Sequence, residues 1–363
     1  MKFLFDVNHP AQVHLFRNAI REIEDSGGEV LVTSREKEVT TRLLDEYGID
    51  HVPLSASRDG TLALASEWAA REIRMLRVAR SFDPDVMVGR LNPPLVHVSK
   101  LLGAPNVVVM DTEIKSAIID RCYSLVTHPF IDVYCTPPSI DPPSGVDRHR
   151  TLDFQELAYL HPNHFSANAD LLRQFGVDPD ERYFVVRFAA WDAFHDVGYT
   201  GFSAEARRDL IERLDERGTV YVSSEDPLPA EFAQYELPVP PHHVHHLLRY
   251  ADLYVGDSGT MSSEAAMLGT PAVRANSMVD DDTESVFFEL EDRYGLMFSF
   301  ADERPAIERA AAIADGDVDR DWEDRRRELL SDKSDVTAQM VDLIRNAAGA
   351  EAREAVPATA RGD

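Results

Sequence analysis

Two α/β domains, each a parallel sheet with helices on both faces, are the fold class that this sequence predicts. Three observations carry the prediction. At 363 residues the chain exceeds one ordinary domain. Short apolar runs alternate with amphipathic helical patterns. The alternation breaks once, at the proline- and glycine-containing stretch 137–145, and then resumes.

Taken in order, residues 3–7 read as a strand, 11–25 as a helix, 29–33 as a strand and 36–47 as a helix. A short β-like run at 51–54 precedes a long amphipathic helix at 62–80. Strands follow at 85–89, 106–110 and 132–135, separated by helical stretches at 94–102 and 114–124. Residues 155–160 and 168–175 bridge to the second half. There the order is strand 183–188, helix 204–216, strand 219–223, helix 243–249, strand 252–255, helix 259–268 and strand 272–275. Helical segments from 284, 305 and 322–347 close the chain. The expected division is 1–165, 166–347 and a small, polar, disordered tail at 348–363. Two similar α/β halves suggest Rossmann-like domains facing an interdomain cleft, with ligands outside the carboxyl ends of the strands.

The net charge is −27, and Lys2, Lys37, Lys100, Lys115 and Lys333 are the only lysines. Acidic residues are spread along the chain, the pattern of a protein that stays hydrated in concentrated salt. A halophile's cytoplasm is the expected setting. The charge argues against nucleic acid, which needs a basic stripe, and against attraction to anionic lipid, although contact through an apolar patch stays compatible with it. No run reads as a membrane span, and a strand at the first residues predicts no signal peptide. Cys122 and Cys135 form no CxxC pair, so no disulfide framework or cysteine metal site is expected.

The most informative stretch is Tyr254-Val-Gly-Asp-Ser-Gly-Thr-Met-Ser-Ser-Glu-Ala-Ala-Met-Leu-Gly-Thr-Pro271. A strand feeds a small polar turn into a helix N-terminus, where free backbone N–H groups and the helix dipole favour an anion. Glu264 follows about one turn later, within reach of a ribose whose pyrophosphate docks on the turn. A plain βα connection with a solvated Glu264 fits the same letters.

Three further turns are chemically loaded. Asp6-Val7-Asn8-His9-Pro10 through His14 follows the first strand; His14 suits a general base or a ligand for an acceptor hydroxyl, and His9 a substrate contact. Helix capping by Asn8 or His9 is the structural alternative. Arg187 to Asp196 follows the strand that opens the second half, with Arg187 placed to neutralise phosphate and His195 to donate to it. Asp111 and Glu113 are paired acids at a strand end, suited to acid/base work or sugar hydroxyls, or to a helix N-terminus. His242-His243-Val244-His245-His246 has no carboxylate or cysteine at ligand spacing, so it reads as a pocket frame or helix cap, and no metal site is expected.

The spacing from Ala251 through Gly256-Asp257-Ser258-Gly259-Thr260, Glu264, Gly269 and Pro271 resembles the donor-binding motif of GT-B glycosyltransferase-fold proteins. The resemblance implies diphosphate contacts at Ser258, Gly259 and Thr260 and a ribose ligand at Glu264. Over roughly residues 1–345 the chain resembles a mainly archaeal, uncharacterised GT-B-like family. The likeness rests on Asp6-x-x-His9-Pro10-x-x-x-His14, Arg187-Phe188-x-x-Trp191-x-x-x-His195-Asp196 and the Gly256–Thr260 turn. Peptidoglycan-type N-acetylglucosaminyltransferases are similar in placing a histidine after the first strand; His14 fills that position, without their glycines. Non-hydrolysing UDP-N-acetylglucosamine 2-epimerases share the Asp-Ser-Gly turn, the glutamate, a histidine matched by His195 and an acid matched by Glu113. Their His-Gly-Asp-Thr turn falls at Val88-Gly89-Arg90-Leu91, which has no Asp.

The resemblance implies glycosyl transfer from a nucleotide-diphosphate sugar to a glycan or lipid-linked acceptor, in cell-surface glycan or glycolipid assembly, with no further cofactor. Arg187 or His195 would assist the leaving diphosphate, and His14, Asp6 or Asp111 would serve as base. Epimerisation of a nucleotide sugar and non-catalytic nucleotide-sugar binding are the alternatives.

Overall fold

The computed structural model describes residues 1–36, 38–56, 61–111, 117–143, 146, 148–189, 200–224, 228–279, 286–318 and 321–354. Its first elements are β1 (Lys2–Val7), α1 (Pro10–Asp25), β2 (Glu29–Glu36), α2 (Glu38–Glu46), β3 (His51–Ala56), α3 (Thr61–Phe82) and β4 (Val86–Gly89). Then come α4 (Pro93–Leu102), β5 (Asn106–Val109), α5 (Ala117–Val126), β6 (Val133–Thr136), β7 (His149–Thr151), α6 (Leu157–Leu160) and α7 (Ala169–Gln174). The second half runs β8 (Tyr183–Phe188), α8 (Ala204–Asp215), β9 (Thr219–Ser224), α9 (Val244–Tyr250), β10 (Leu253–Gly256), α10 (Gly259–Leu268) and β11 (Ala272–Ala275). The chain closes with α11 (Val286–Phe288), β12 (Met297–Phe300), α12 (Glu303–Ala314), α13 (Trp322–Asp332) and α14 (Val336–Glu354).

Two compact units form, one from Met1–His161 with Ser334–Asp363, the other from Pro162–Lys333. The first holds a seven-stranded sheet in the order β3-β2-β1-β4-β5-β6-β7. All its pairings are parallel. Its central strands are apolar on both faces, as a sheet covered by helices on both sides requires: Leu4, Phe5, Met87, Val88, Val107 and Val108 are fully buried. The second unit holds a five-stranded parallel sheet, β12-β11-β10-β8-β9. Phe184, Val186, Val255 and Val273 form its core with Leu210 and Ile211 of α8 and Ala306 and Ala310 of α12. In both sheets the order reverses beside the strand that opens the unit, β1 or β8. Such a reversal opens a crevice at the carboxyl ends of the strands.

The sequence reading is altered in three places. The helix expected at 322–347 is two helices, because Lys333-Ser334-Asp335 interrupts it and Asp335 Oδ1 accepts the Ala338 N–H at 3.2 Å. The second of them, α14, belongs to the first unit and not to 166–347. Val336, Met340, Val341 and Ile344 are buried, and Thr337 Oγ1 donates to the Ala158 carbonyl of α6 at 2.7 Å. Residues 348–354 of the expected tail continue this helix. The short strands β7 and β12 were not foreseen; β12 is the apolar run Met297-Phe298-Ser299-Phe300 on the edge of its sheet.

Candidate functional site

In the second unit, β10 delivers the chain into the Gly256–Thr260 turn and α10. Ser258 is the N-cap, its hydroxyl facing the Met261 N–H at 3.5 Å, and Gly269 closes the helix in the left-handed region at φ 85°. The first N–H groups of α10 have no acceptor within the helix. Thr260 is exposed and Gly259 half-exposed there. Strand register sets Gly256 between Arg187 of β8 and Arg274 of β11. In-register residues of neighbouring strands project to one face, so two guanidinium groups flank a position without a side chain. Glycine is needed at that position, because a Cβ would lie 2.4 Å from the Tyr254 hydroxyl and 2.8 Å from the Arg187 carbonyl. Arg187 donates to Ser223 Oγ at 2.7 Å. Arg274 is buried and lies 3.8 Å from the Phe287 ring centroid. That ring reaches Gly259, where a Cβ would come within 2.9 Å of it.

Glu264 is not solvated. It is 4% exposed, and its Oε1 lies 3.0 Å from Nε2 of His245, itself 2% exposed. An ionised carboxylate only accepts, so Nε2 carries the hydrogen in this contact. His245 thereby fixes the carboxylate of the predicted ribose ligand. Asp257, also buried, accepts from the Ala189 N–H at 2.7 Å and the Phe202 N–H at 3.4 Å. Those two residues bracket 190–199 in the sequence. The Asp257 carbonyl in turn accepts from Asn276 Nδ2 at 3.0 Å. One carboxylate thus ties the turn after β10 to the segment after β8. Burial pushes the phenol of neighbouring Tyr254 well above its usual range.

The histidine run splits, with His245 apart from His242, His243 and His246, whose rings stay in contact. His245 turns to Glu264, His246 accepts the Asn168 N–H at 3.1 Å through Nδ1, and His243 packs on Phe175. Among the described residues no group of three or more His, Cys, Asp or Glu converges on one point that could hold a metal ion.

In the first unit the predicted residues have different surroundings. Asp6 is fully buried. Its Oδ1 accepts from Thr33 Oγ1 at 2.7 Å and Arg71 Nη2 at 2.5 Å, and its Oδ2 from Asn8 at 2.8 Å and Asn92 at 3.2 Å. A carboxylate with its lone pairs so engaged organises the ends of β1, β2 and β4 and is poorly placed to take a proton. Arg71 also donates to the Ser34 carbonyl and to Ser55, and Ser55 shares Glu67 with Arg35. His9 caps α1, its Nδ1 accepting from the Ala11 N–H at 3.3 Å. Asp111 pairs with Arg90, whose other Nη lies 3.4 Å from Gln155 Oε1. Burial would lower the Arg90 pKa, but the Asp111 charge and hydrogen bond outweigh it and raise it. His14 is buried beside Arg17 at 3.5 Å and the Tyr47 hydroxyl at 3.4 Å, with the Tyr159 ring 5.3 Å away.

The structure therefore groups Arg187, Ser258, Gly259, Thr260 and Glu264 in the second unit. Asp6, His14 and Asp111, in the first, make their hydrogen bonds to different partners. Glu113 and His195 lie outside the described residues. Sequence reasoning missed Arg274, His245 as partner of Glu264, and Asp257 as the tie between loops. A charged residue inside the apolar strand Ala272–Ala275 was the available signal for Arg274.

A family model described as "Protein of unknown function (DUF354)" matches residues 1–348. An uncharacterised protein of Methanocaldococcus jannaschii is 21% identical over 278 residues, covering 74% of this chain and 80% of the relative. Among solved structures, the UDP-GlcNAc 2-epimerase of M. jannaschii superposes with a TM-score of 0.64 at 14% identity, over 95% of this chain and 99% of that one. The glycosyltransferase VinC in complex with dTDP does so at 0.61 and 12% identity, over 96% of this chain and 100% of that one. At these identities the likeness establishes a GT-B-type fold, shared by epimerases and glycosyltransferases.

Proposed function

This chain belongs to the DUF354 family, and from that premise we propose that it is a nucleotide-sugar-dependent glycosyltransferase. The observation that carries the reading is the Gly256–Thr260 turn, with Arg187 and Arg274 beside it and the buried Glu264 braced by His245. The diphosphate rests on the first N–H groups of α10, where the helix dipole and two cations stabilise the charge left as the glycosidic C–O bond breaks. Glu264 accepts from the ribose hydroxyls. This is electrostatic stabilisation by preorganised donors, and it needs no further cofactor.

In the transfer step the acceptor oxygen bonds to the anomeric carbon, the diphosphate leaves with the bonding pair, and the acceptor's proton passes to a base. Of the described candidates, Asp6 is occupied by four donors, Asp111 by Arg90, and Nδ1 of His14 faces Arg17 and the Tyr47 hydroxyl, so the base is not assigned among these three. A cell-surface glycan or glycolipid is the proposed acceptor class. No described helix is long and apolar enough to cross a membrane.

Epimerisation is the second reading, supported by the epimerase fold relatives. Against it stands the resemblance drawn from the sequence, which places the epimerase His-Gly-Asp-Thr turn at Val88-Gly89-Arg90-Leu91, without an Asp, and Arg90 there pairs with Asp111.

A thermal-shift screen of UDP-, GDP-, CMP- and dTDP-sugars in concentrated KCl tests the donor site. Ligand at a hundred times its Kd stabilises the fold by about 2.7 kcal/mol. One nucleotide class is expected to raise Tm, and Glu264→Ala to remove the rise. No shift with any nucleotide on folded protein would end the reading; conversion of the sugar without an acceptor would favour epimerisation.

A further inference from the structure

His14, Arg17 and Arg21 stand at spacings of three and four along α1, so they share one helix face. Arg17 is 8% exposed, yet among the described residues no carboxylate forms an ion pair with it. That is unusual in a chain with 64 acidic and 37 basic residues. The other buried arginine of this unit, Arg71, holds Asp6, and the half-buried Arg90 holds Asp111. A guanidinium taken out of water without a counter-charge is costly, and natural folds normally supply one.

In place of an acid, Arg17 has aromatic rings. Its Cζ lies 4.5 Å from the Tyr47 ring centroid and 5.9 Å from that of Tyr159, and its Nη1 is 3.5 Å from His14 Nδ1. Stacking on ring faces recovers part of the lost solvation and leaves the in-plane N–H donors for another acceptor. Burial draws the Arg17 pKa below the usual arginine value, the two phenols counter this, and the charge of Arg21 adds to it. Arg21 is exposed, without a carboxylate ion pair among the described residues, and donates to the Tyr47 carbonyl at 3.0 Å.

The neighbouring groups are donors too. An arginine cannot accept, so in its contact with Arg17 the His14 Nδ1 is the lone pair and Nε2 carries the hydrogen. Tyr47, half-buried at the end of the α2 segment, brings its hydroxyl to 3.4 Å from the same Nδ1.

We infer that His14, Arg17, Arg21 and Tyr47, backed by Tyr159, form a binding site for an oxyanion, with a phosphoryl group as the best fit. Arg17 supplies the bidentate fork, and the imidazole N–H and phenol supply further donors to a tetrahedral anion. The site lies wholly in the first unit and does not depend on what the α10 turn binds.

Titration of the full chain with inorganic phosphate tests this, against KCl of matched ionic strength, with Tm and calorimetric heat as readouts. Glycerol phosphate and glutarate serve as parallel arms. A saturable rise in Tm is expected from phosphate and glycerol phosphate. Arg17→Met should abolish it, and Arg17→Lys and Tyr47→Phe should each weaken binding at least about tenfold, the scale of one lost charge-assisted hydrogen bond. Equal binding of glutarate would name a carboxylate as the source of the same oxyanion. No saturable effect in the wild type would overturn the assignment. So would an effect that survives Arg17→Lys and Tyr47→Phe unchanged, as phosphate at the α10 turn would give. The last two variants keep cation and ring respectively, so the test holds if Arg17→Met does not fold.

Discussion

The turns after β1 and after β10 have the same architecture and opposite chemistry. Both carry a parallel strand into a helix N-terminus beside a point where sheet order reverses. After β1 the end of the helix is already occupied. Pro10 brings no N–H, His9 takes the N–H of Ala11, and Gln12 Oε1 takes that of Asn8 at 2.7 Å. Behind it Asp6 is sealed into the Arg71–Ser55–Glu67–Arg35 network. After β10 the turn is small and two of its residues are glycines; Ser258 takes the Met261 N–H, and no side chain among the described residues takes those of Gly259 and Thr260. The first turn uses polar residues to fix the fold; the second keeps a donor surface. Polar letters at a strand end therefore do not identify a ligand site unless their hydrogen bonds are followed to the far partner.

The largest effect that sharpens this contrast should come from Asp6→Ala. It leaves Arg71 buried without its acid and three further donors without their acceptor, which should cost about 3–5 kcal/mol in urea unfolding. A loss below about 1 kcal/mol would mean that the network is not holding the end of β1. Nucleotide affinity of the folded fraction should not change.

Capping substitutions compare the two helix ends directly, with a smaller effect. His9→Ala and Ser258→Ala each remove a cap and should each cost up to about 1 kcal/mol of stability. Only Ser258→Ala should also weaken nucleotide binding, roughly twofold to tenfold for one lost hydrogen bond. Equal affinities in the two variants, measured by calorimetry, would remove Ser258 from the diphosphate site.

The turn after β10 was legible because its signal is local. A strand, a Gly/Ser turn and a helix with its αL glycine at Gly269 lie within one short stretch of sequence. The first unit was less legible because the meaning of its polar residues lies in distant partners. Nothing near Asp6 announces Arg71 of α3, and nothing near Asp111 announces Arg90. The capping alternative read for His9 is what the structure shows, and the solvated alternative read for Glu264 is not, because His245 of another helix buries it. The assignment of the last helix failed for the same reason. The apolar stripe of α14 is visible in the sequence, but its partners α1 and α6 precede it by most of the chain.

The smallest expected effect concerns pH and the outer part of the Asp6 network. Burial by itself raises the Glu67 carboxyl, but hydrogen bonds from Arg35 and Ser55 and the charges of Arg35 and Arg71 outweigh it and hold Glu67 below the ordinary glutamate range. A carboxyl whose folded pKa is depressed stabilises the fold fully above its unfolded pKa, and the contribution is lost as pH falls through the folded value. Glu67→Gln keeps the shape and one acceptor while removing the charge. Its cost in urea midpoint should therefore be largest near neutral pH and shrink toward zero below the glutamate range, while the Asp6→Ala defect persists wherever Arg71 stays charged and buried. A Glu67→Gln cost independent of pH would show that shape and hydrogen bonding, not the charge, carry the Glu67 contribution, and would leave Asp6–Arg71 as the one ion pair that this network needs.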